Sequence, residues 1–122
     1  MAGFLTDAWL DDLDAAARVV ELHTEAPLVL QQVVPDGPEG HEVAYALAVR
    51  DGRVRVERGR VRDPDLVFTQ DRATAEAIHR GELSAQAAFM QGRLRLGGDL
   101  RAVIDRAAEL AAIEDVFASA RA

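Results

Sequence analysis

The dipeptide Asp51-Gly52 restricts the fold of this chain more than any other short feature of its sequence. Both residues tolerate the positive φ angles of a tight two-residue turn, so the pair is a strong hairpin signal. The flanking segments alternate, with mostly large side chains at the odd positions of 41–50 and Arg alternating with Val in 53–58. The pattern predicts an antiparallel hairpin, and the alanines between the large residues leave room for either a ligand or a closely packed helix.

The period of the apolar residues predicts the elements around this hairpin. Before it, apolar residues at spacings of four, three and four indicate an amphipathic helix that begins at Thr6 or Asp7 and ends before Pro27. The loop at 35–40 is rich in Pro and Gly, which separates the next strand from the hairpin. Three strands outside the hairpin are predicted at 28–34, 66–69 and 94–96.

Polar residues that precede apolar segments are candidate helix caps in the second half of the chain. Asp71 is expected to begin a helix at 72–80, and Ser84 a short helix that ends at Gly92. We expect Gly97-Gly98 to turn the chain and Asp99 to cap the last helix. The apolar face of that helix is predicted to contain Leu100, Val103, Ile104, Ala107, Leu110 and Ala111.

Composition limits the class of protein. With 122 residues, of which 49% are apolar, the chain is long enough for a single domain spanning residues 1–122. The formal net charge of −7 opposes encounter with nucleic acid, so we expect no nucleic-acid partner. The absence of Cys excludes thiolate catalysis and Cys-ligated metal centres. An acidic N-terminal segment and the lack of a run of ~20 apolar residues predict a cytoplasmic protein.

The second half of the chain resembles the sterol carrier protein 2 family, also called the nonspecific lipid-transfer proteins. The resemblance lies in AFMQGRLRLGGDL at 88–100, preceded by DPDLVFTQDRATAEAIHRGELSAQ at 63–86. Its elements are Asp-x-x-Leu-x-Phe on a strand, a helix that ends in Gly-x-Leu, a Phe-Met-x-Gly turn, Leu-x-Leu and Gly-Asp. The first half agrees in the order of its elements. We expect a stand-alone bacterial member of the family.

The resemblance implies an α+β fold, in which a single five-stranded, mainly antiparallel sheet is covered on one face by helices. It also implies an apolar tunnel that carries a fatty acid, acyl-CoA, sterol or isoprenoid-like lipid without chemical change. No catalytic residues follow from it, and we expect no enzyme activity, no cofactor and no metal site. The residues expected to contact the lipid are Phe68, Ile78, Phe89, Met90, Val103, Ile104, Leu110, Ile113 and Phe117.

Other interpretations of the same residues stay open. Aromatic residues and Met at helical spacing are also typical of an ordinary core. One alternative is an accessory enzyme or subunit in a lipid, isoprenoid or polyketide pathway. It would need polar groups inside the pocket, and the only candidates within reach are Tyr45, His79, Gln86 and Asp99. The chain is also compatible with a structural dimerisation module. The sequence is compatible with transient contact with a membrane or an enzyme. It is also compatible with either a monomer or a homodimer.

Two clusters have a functional and a structural interpretation. Six Arg residues between Arg50 and Arg62 are suited to a CoA phosphate or an anionic headgroup, or they form the solvent face of alternating strands. Glu76 and His79 have the spacing of di-iron ligands, but the second copy that such a site needs is missing from the sequence.

Overall fold

A computed structural model describes residues 3–19, 27–108 and 110. The predicted order of elements is confirmed, and most bounds agree to within two residues. The helices are α1 (Asp7–Arg18), α2 (Arg72–His79), α3 (Ala85–Met90) and α4 (Arg101–Asp105), with a short 3-10 turn at Pro38–Gly40. The strands are β1 (Leu28–Val34), β2 (Val43–Arg50), β3 (Arg53–Arg58), β4 (Leu66–Gln70) and β5 (Leu94–Gly98).

The five strands form one sheet in the order β3-β2-β1-β4-β5. β1 pairs antiparallel with β2 and parallel with β4, while β2–β3 and β4–β5 are antiparallel. The expected α+β fold with a mainly antiparallel sheet is therefore confirmed, although the one parallel pairing makes the sheet mixed. Asp51 and Gly52 have φ angles of 52° and 77°, so the turn between β2 and β3 is the one that their sequence predicts.

Helix α1 covers the inner face of the sheet on the β3 side. Thr6 caps it by accepting a hydrogen bond from the Trp9 N–H, as predicted for a helix that begins at Thr6 or Asp7. Its apolar side, which includes Leu13, is buried against the sheet. Asp14 accepts a hydrogen bond from the Val56 N–H of the edge strand β3, which ties the helix to the sheet. The helix therefore closes this half of the inner face.

The segment between β3 and β4 covers part of the outer face of the sheet. Val61 packs there against Val29, Ala46 and Ala48. Gln31 holds the segment in place, because its amide donates to the Gly59 carbonyl and accepts from the Val61 N–H. Two of the alanines expected to make room for a ligand or a helix thus lie beneath this segment instead.

Two details in the region from β5 to α4 differ from expectation. Gly97 and Gly98 do not turn the chain, because they are the end of β5 and pair with Val67 and Leu66 of β4. Helix α4 spans Arg101–Asp105, a turn follows at Arg106, and residues 107, 108 and 110 are again helical; Leu100 rather than Asp99 is its N-terminal flanking residue. Ala111, the last residue of the predicted apolar face, lies outside the described residues. The Asp99 carboxylate still accepts a hydrogen bond from the Arg101 N–H. The pairing with β4 therefore extends β5 over two glycines that the sequence predicted to be a turn.

Candidate functional site

A cavity of about 600 Å³ lies between the inner face of the sheet and helices α2, α3 and α4. Phe89 and Met90 line it and are 50% and 78% exposed, so the cavity opens beside α3. The described residues that line it are mostly apolar: Phe4, Leu30, Gln32, Tyr45, Phe68, Gln70, Ala75, Ile78, His79, Ala85, Gln86, Phe89, Met90, Leu94, Leu96, Val103, Ala107 and Leu110.

The sheet contributes a row of side chains to this cavity. Register places Gln32 of β1 between Tyr45 of β2 and Phe68 of β4, and Phe68 is opposite Leu96 of β5. All four side chains lie on the inner face, because successive residues of a strand point to opposite faces of the sheet. One polar amide therefore lies in the middle of an otherwise aromatic and aliphatic row.

The helices close the cavity from the other side. Helix α2 begins directly after β4, where the Asp71 carboxylate accepts a hydrogen bond from the Thr74 N–H. Hydrogen bonding with the Thr74 side chain, together with this backbone hydrogen bond, holds the pKa of Asp71 below its ordinary value. Ser84 caps α3 in the same way by accepting from the Ala87 N–H. The two caps confirm the predicted starts of α2 and α3. They also fix the direction in which each helix continues from the segment before it.

The polar side chains among the described lining residues carry uncharged amides, a phenol and an imidazole. Gln70 Nε2 donates to Gln32 Oε1 at 2.8 Å. Burial raises the pKa of Tyr45 well above its ordinary value, so this phenol stays protonated and is not a base at neutral pH. The His79 ring stacks on Phe4 with centroids 4.9 Å apart. Among the described lining residues there is no Asp, Glu, Lys or Arg.

Six of the nine residues predicted to contact a lipid line this cavity: Phe68, Ile78, Phe89, Met90, Val103 and Leu110. Ile104 does not line it and is 80% exposed. The reason is the orientation of α4, which directs Val103 toward the cavity and its neighbour toward solvent. Ile113 and Phe117 lie outside the described residues.

Other lining residues were not predicted from the sequence. Strand alternation was a signal for two of them, because Gln32 and Gln70 have the same parity as Leu30 and Phe68 on their strands. Three of the four polar side chains required by the accessory-enzyme interpretation, Tyr45, His79 and Gln86, line the cavity, whereas Asp99 does not.

The Arg cluster between Arg50 and Arg62 lies away from this cavity. Arg58 binds Asp7 and Asp11 of α1. Arg60 forms a two-pronged contact with Glu42, and this hydrogen bonding keeps the pKa of the Glu42 carboxyl below its ordinary value. Arg50 and Arg55 also lie within ion-pair distance of acidic side chains. These contacts favour the interpretation of the cluster as a solvated, ion-paired sheet face.

Membrane-spanning helices and metal-binding clusters are absent from the described part of the chain. No helix there is long and apolar enough to cross a bilayer. Within residues 3–19, 27–108 and 110, no group of three His, Asp or Glu side chains is arranged to hold a metal ion.

Comparisons with known proteins agree on one family. The model of the SCP-2 sterol transfer family matches residues 11–108. Sterol carrier protein 2 from Bos taurus is 30% identical over 67 residues, which make up 55% of this chain. The same match covers only 12% of that much longer relative.

Solved structures show the same fold. A crystal structure of sterol carrier protein 2 has a TM-score of 0.73 and 23% identity, and the match covers 98% of each chain. A stereoselective inverting sec-alkylsulfatase from Pseudomonas sp. contains a similar region, with a TM-score of 0.51 and 18% identity. That match covers 89% of this chain and 14% of the sulfatase, so the fold also occurs as part of an enzyme.

Proposed function

Because the chain belongs to the SCP-2 sterol transfer family, we propose that it binds one hydrophobic ligand in the cavity and carries it without chemical change. The proposed ligand is a long apolar molecule: a fatty acid, an acyl-CoA, a sterol or an isoprenoid-like lipid. The observation that carries the proposal is the cavity of about 600 Å³ with a mostly apolar lining. The proposed contacts are the six predicted residues that line it.

Apolar contact alone provides enough free energy for such binding. Each methylene removed from water contributes about 0.8 kcal/mol, so a sixteen-carbon chain gives on the order of 12 kcal/mol. Micromolar affinity requires about 8 kcal/mol. The remaining ~4 kcal/mol is at the low end of the cost of association. A cavity with no charged group among its described lining residues therefore suits a carrier of lipids.

The wall formed by α3 supports ligand exchange. Phe89 and Met90 are partly exposed at the opening, and a Met side chain changes shape at low energetic cost. Helix α3 has only six residues and contacts mainly β5. A short helix with few packing partners opens more readily than the centre of the sheet. We propose that the ligand enters and leaves beside α3.

An accessory enzyme remains the second candidate, because the same fold forms part of a sulfatase and because Tyr45, His79 and Gln86 line the cavity. We favour the carrier for a chemical reason. The buried Tyr45 phenol stays protonated, which makes it a poor nucleophile, and an amide is not a nucleophile. The His79 imidazole has the chemistry of a general base, but the described lining residues include no Ser or Thr hydroxyl for it to activate and no carboxylate nucleophile.

Transfer of a labelled lipid between vesicles tests the proposal. Donor vesicles would contain a fluorescent long-chain lipid that is quenched in the donor, and unlabelled acceptor vesicles would be present in excess. We expect the transfer rate to rise in proportion to protein concentration, and we expect the label to be recovered chemically unchanged. A rate independent of protein would contradict the carrier, and a modified label would favour the enzyme.

A further inference from the structure

The two ends of the cavity have different walls. On the β5 side the cavity opens beside α3, where Phe89 and Met90 are partly exposed. From there a row of paired residues crosses the sheet from Leu96 on β5 to Tyr45 on β2. The row spans three spacings between neighbouring strands, which is about 14 Å. A ligand that enters beside α3 therefore extends across the strands toward Tyr45.

A cluster of aromatic rings lies at the Tyr45 end. Phe4 stacks on His79 with ring centroids 4.9 Å apart, and it packs edge-on against Trp9 at 5.0 Å. Trp9 packs against Tyr45 in the same edge-on way, at 5.7 Å. Phe4, His79 and Tyr45 line the cavity, whereas Trp9 is buried and is not among the described lining residues. Phe4 and its two lining neighbours therefore lie between the cavity and Trp9.

A tight turn holds Phe4 in this position. The Gly3 carbonyl accepts hydrogen bonds from the Thr6 N–H at 3.2 Å and from the Thr6 hydroxyl at 2.6 Å. Leu5, inside the turn, has a φ angle of 66°, which is unfavourable for a bulky residue. Its side chain is only 3% exposed, and burial in the core offsets this strain. The turn thus directs Leu5 to the core and Phe4 to the cavity.

We propose that Phe4 is the end wall that limits the length of the apolar chain that the cavity accepts. The inference rests on the proposed function, because it assigns a chain-length specificity to the same cavity. The end of the chain then lies against Phe4, and the polar head stays at the opening beside α3. This orientation keeps the head in water, whereas a charged head among the aromatic rings would lose its hydration.

Competition by fatty acids of increasing length tests the limit. The protein is first loaded with an uncharged fluorescent probe, N-phenyl-1-naphthylamine. Saturated acids from octanoate to eicosanoate then displace the probe, each below its aggregation concentration. Potency should rise about fourfold with each methylene that still gains contact with the cavity. Once the chain end reaches Phe4, further methylenes stay outside the cavity, and we expect potency to stop rising.

Phe4→Ala removes the proposed end wall. The space left by the ring should move the limit to acids longer by about two to four carbons, because such a cavity collapses only in part. Phe89→Ala is the matched control, since it makes the same substitution in the same cavity but at the opening. This control should lower the potency of every acid by a similar factor and leave the limit at its wild-type length.

Quenching of Trp9 fluorescence locates the chain end directly. Trp9 is the only Trp of the chain, and bromine quenches indole fluorescence at short range. The two quenchers are the α-bromo and ω-bromo forms of the longest acid that the wild type accepts, and the chain has no Cys for the α-bromo form to alkylate. The ω-bromo acid should quench Trp9 more strongly, because its bromine lies against Phe4. Its quenching should increase further in Phe4→Ala.

The outcomes separate the inference from the proposed function. The same limit in Phe4→Ala as in the wild type would overturn the inference and leave the carrier intact. Equal or stronger quenching by the α-bromo acid would also overturn it, since the head would then lie at the aromatic end. Failure of every acid to displace the probe would contradict lipid binding itself. The quenching comparison uses the wild-type protein, so it is decisive even if Phe4→Ala does not fold.

Discussion

Replacement of Val103 by Asp should weaken binding of an uncharged apolar probe on the order of tenfold or more, whereas Ile104→Asp should change it by less than about twofold. Val103 lines the cavity, while its neighbour is 80% exposed and does not. A ligand that covers a carboxylate at position 103 must remove it from water without providing a partner, which opposes binding. Titration of probe fluorescence with each variant measures the effect.

The neighbouring position provides the control for charge and for helix propensity, because both substitutions add one Asp to the same helix. Melting temperatures of the two variants would show whether either has lost its fold. Equal weakening by both substitutions would contradict the assignment of Val103 to the cavity wall, and so would wild-type affinity in Val103→Asp. The two residues were indistinguishable in the sequence, so the comparison also tests the orientation of α4.

Gly98→Ala should lower the free energy of unfolding by about 2–4 kcal/mol and the melting temperature by roughly 10 °C. Gly98 has a φ angle of 88°, where a Cβ atom is strained, and that atom would lie 2.4 Å from the Asp65 carbonyl oxygen. Asp65 has little freedom to move away. It exchanges hydrogen bonds with Val29, and its carbonyl accepts from the Asp99 N–H.

Gly97→Ala is the matched control for the loss of glycine entropy in the same strand. The nearest heavy atom to a Cβ at this position is 3.7 Å away, which is an ordinary contact. We expect Gly97→Ala to lower the melting temperature by less than a quarter of the decrease caused by Gly98→Ala. Similar melting temperatures for Gly98→Ala and the wild type would contradict the described geometry at the end of β5.

Local signals in the sequence predicted much of the sheet. The bounds of β1 and β3 were predicted to the residue, because β1 is rich in branched apolar residues and β3 alternates next to a two-residue turn. The caps at Asp71 and Ser84 were also predicted, since capping depends on only three neighbouring residues, whereas the predicted cap at Asp99 was wrong.

Features that depend on distant contacts were not predictable in this way. The end of β5 at Gly97-Gly98 is set by pairing with β4, which is about thirty residues away. Helical periodicity placed Val103 and Ile104 in one stripe, but only the packing of α4 decides which of them faces the cavity. The contact between Gln32 and Gln70 depends on both strand parity and the parallel pairing of β1 with β4, and the sequence alone did not indicate that pairing.

Lipid extraction from the purified protein is the most direct test of the central claim that this cavity holds a hydrophobic ligand. The protein would be denatured as isolated, and its organic extract compared by mass spectrometry with that of Val103→Asp prepared in parallel. We expect a lipid in near-stoichiometric amount from the wild type, with much less from the variant. Equal amounts from both, or none from the wild type even after incubation with fatty acid, sterol and fatty alcohol, would contradict the claim.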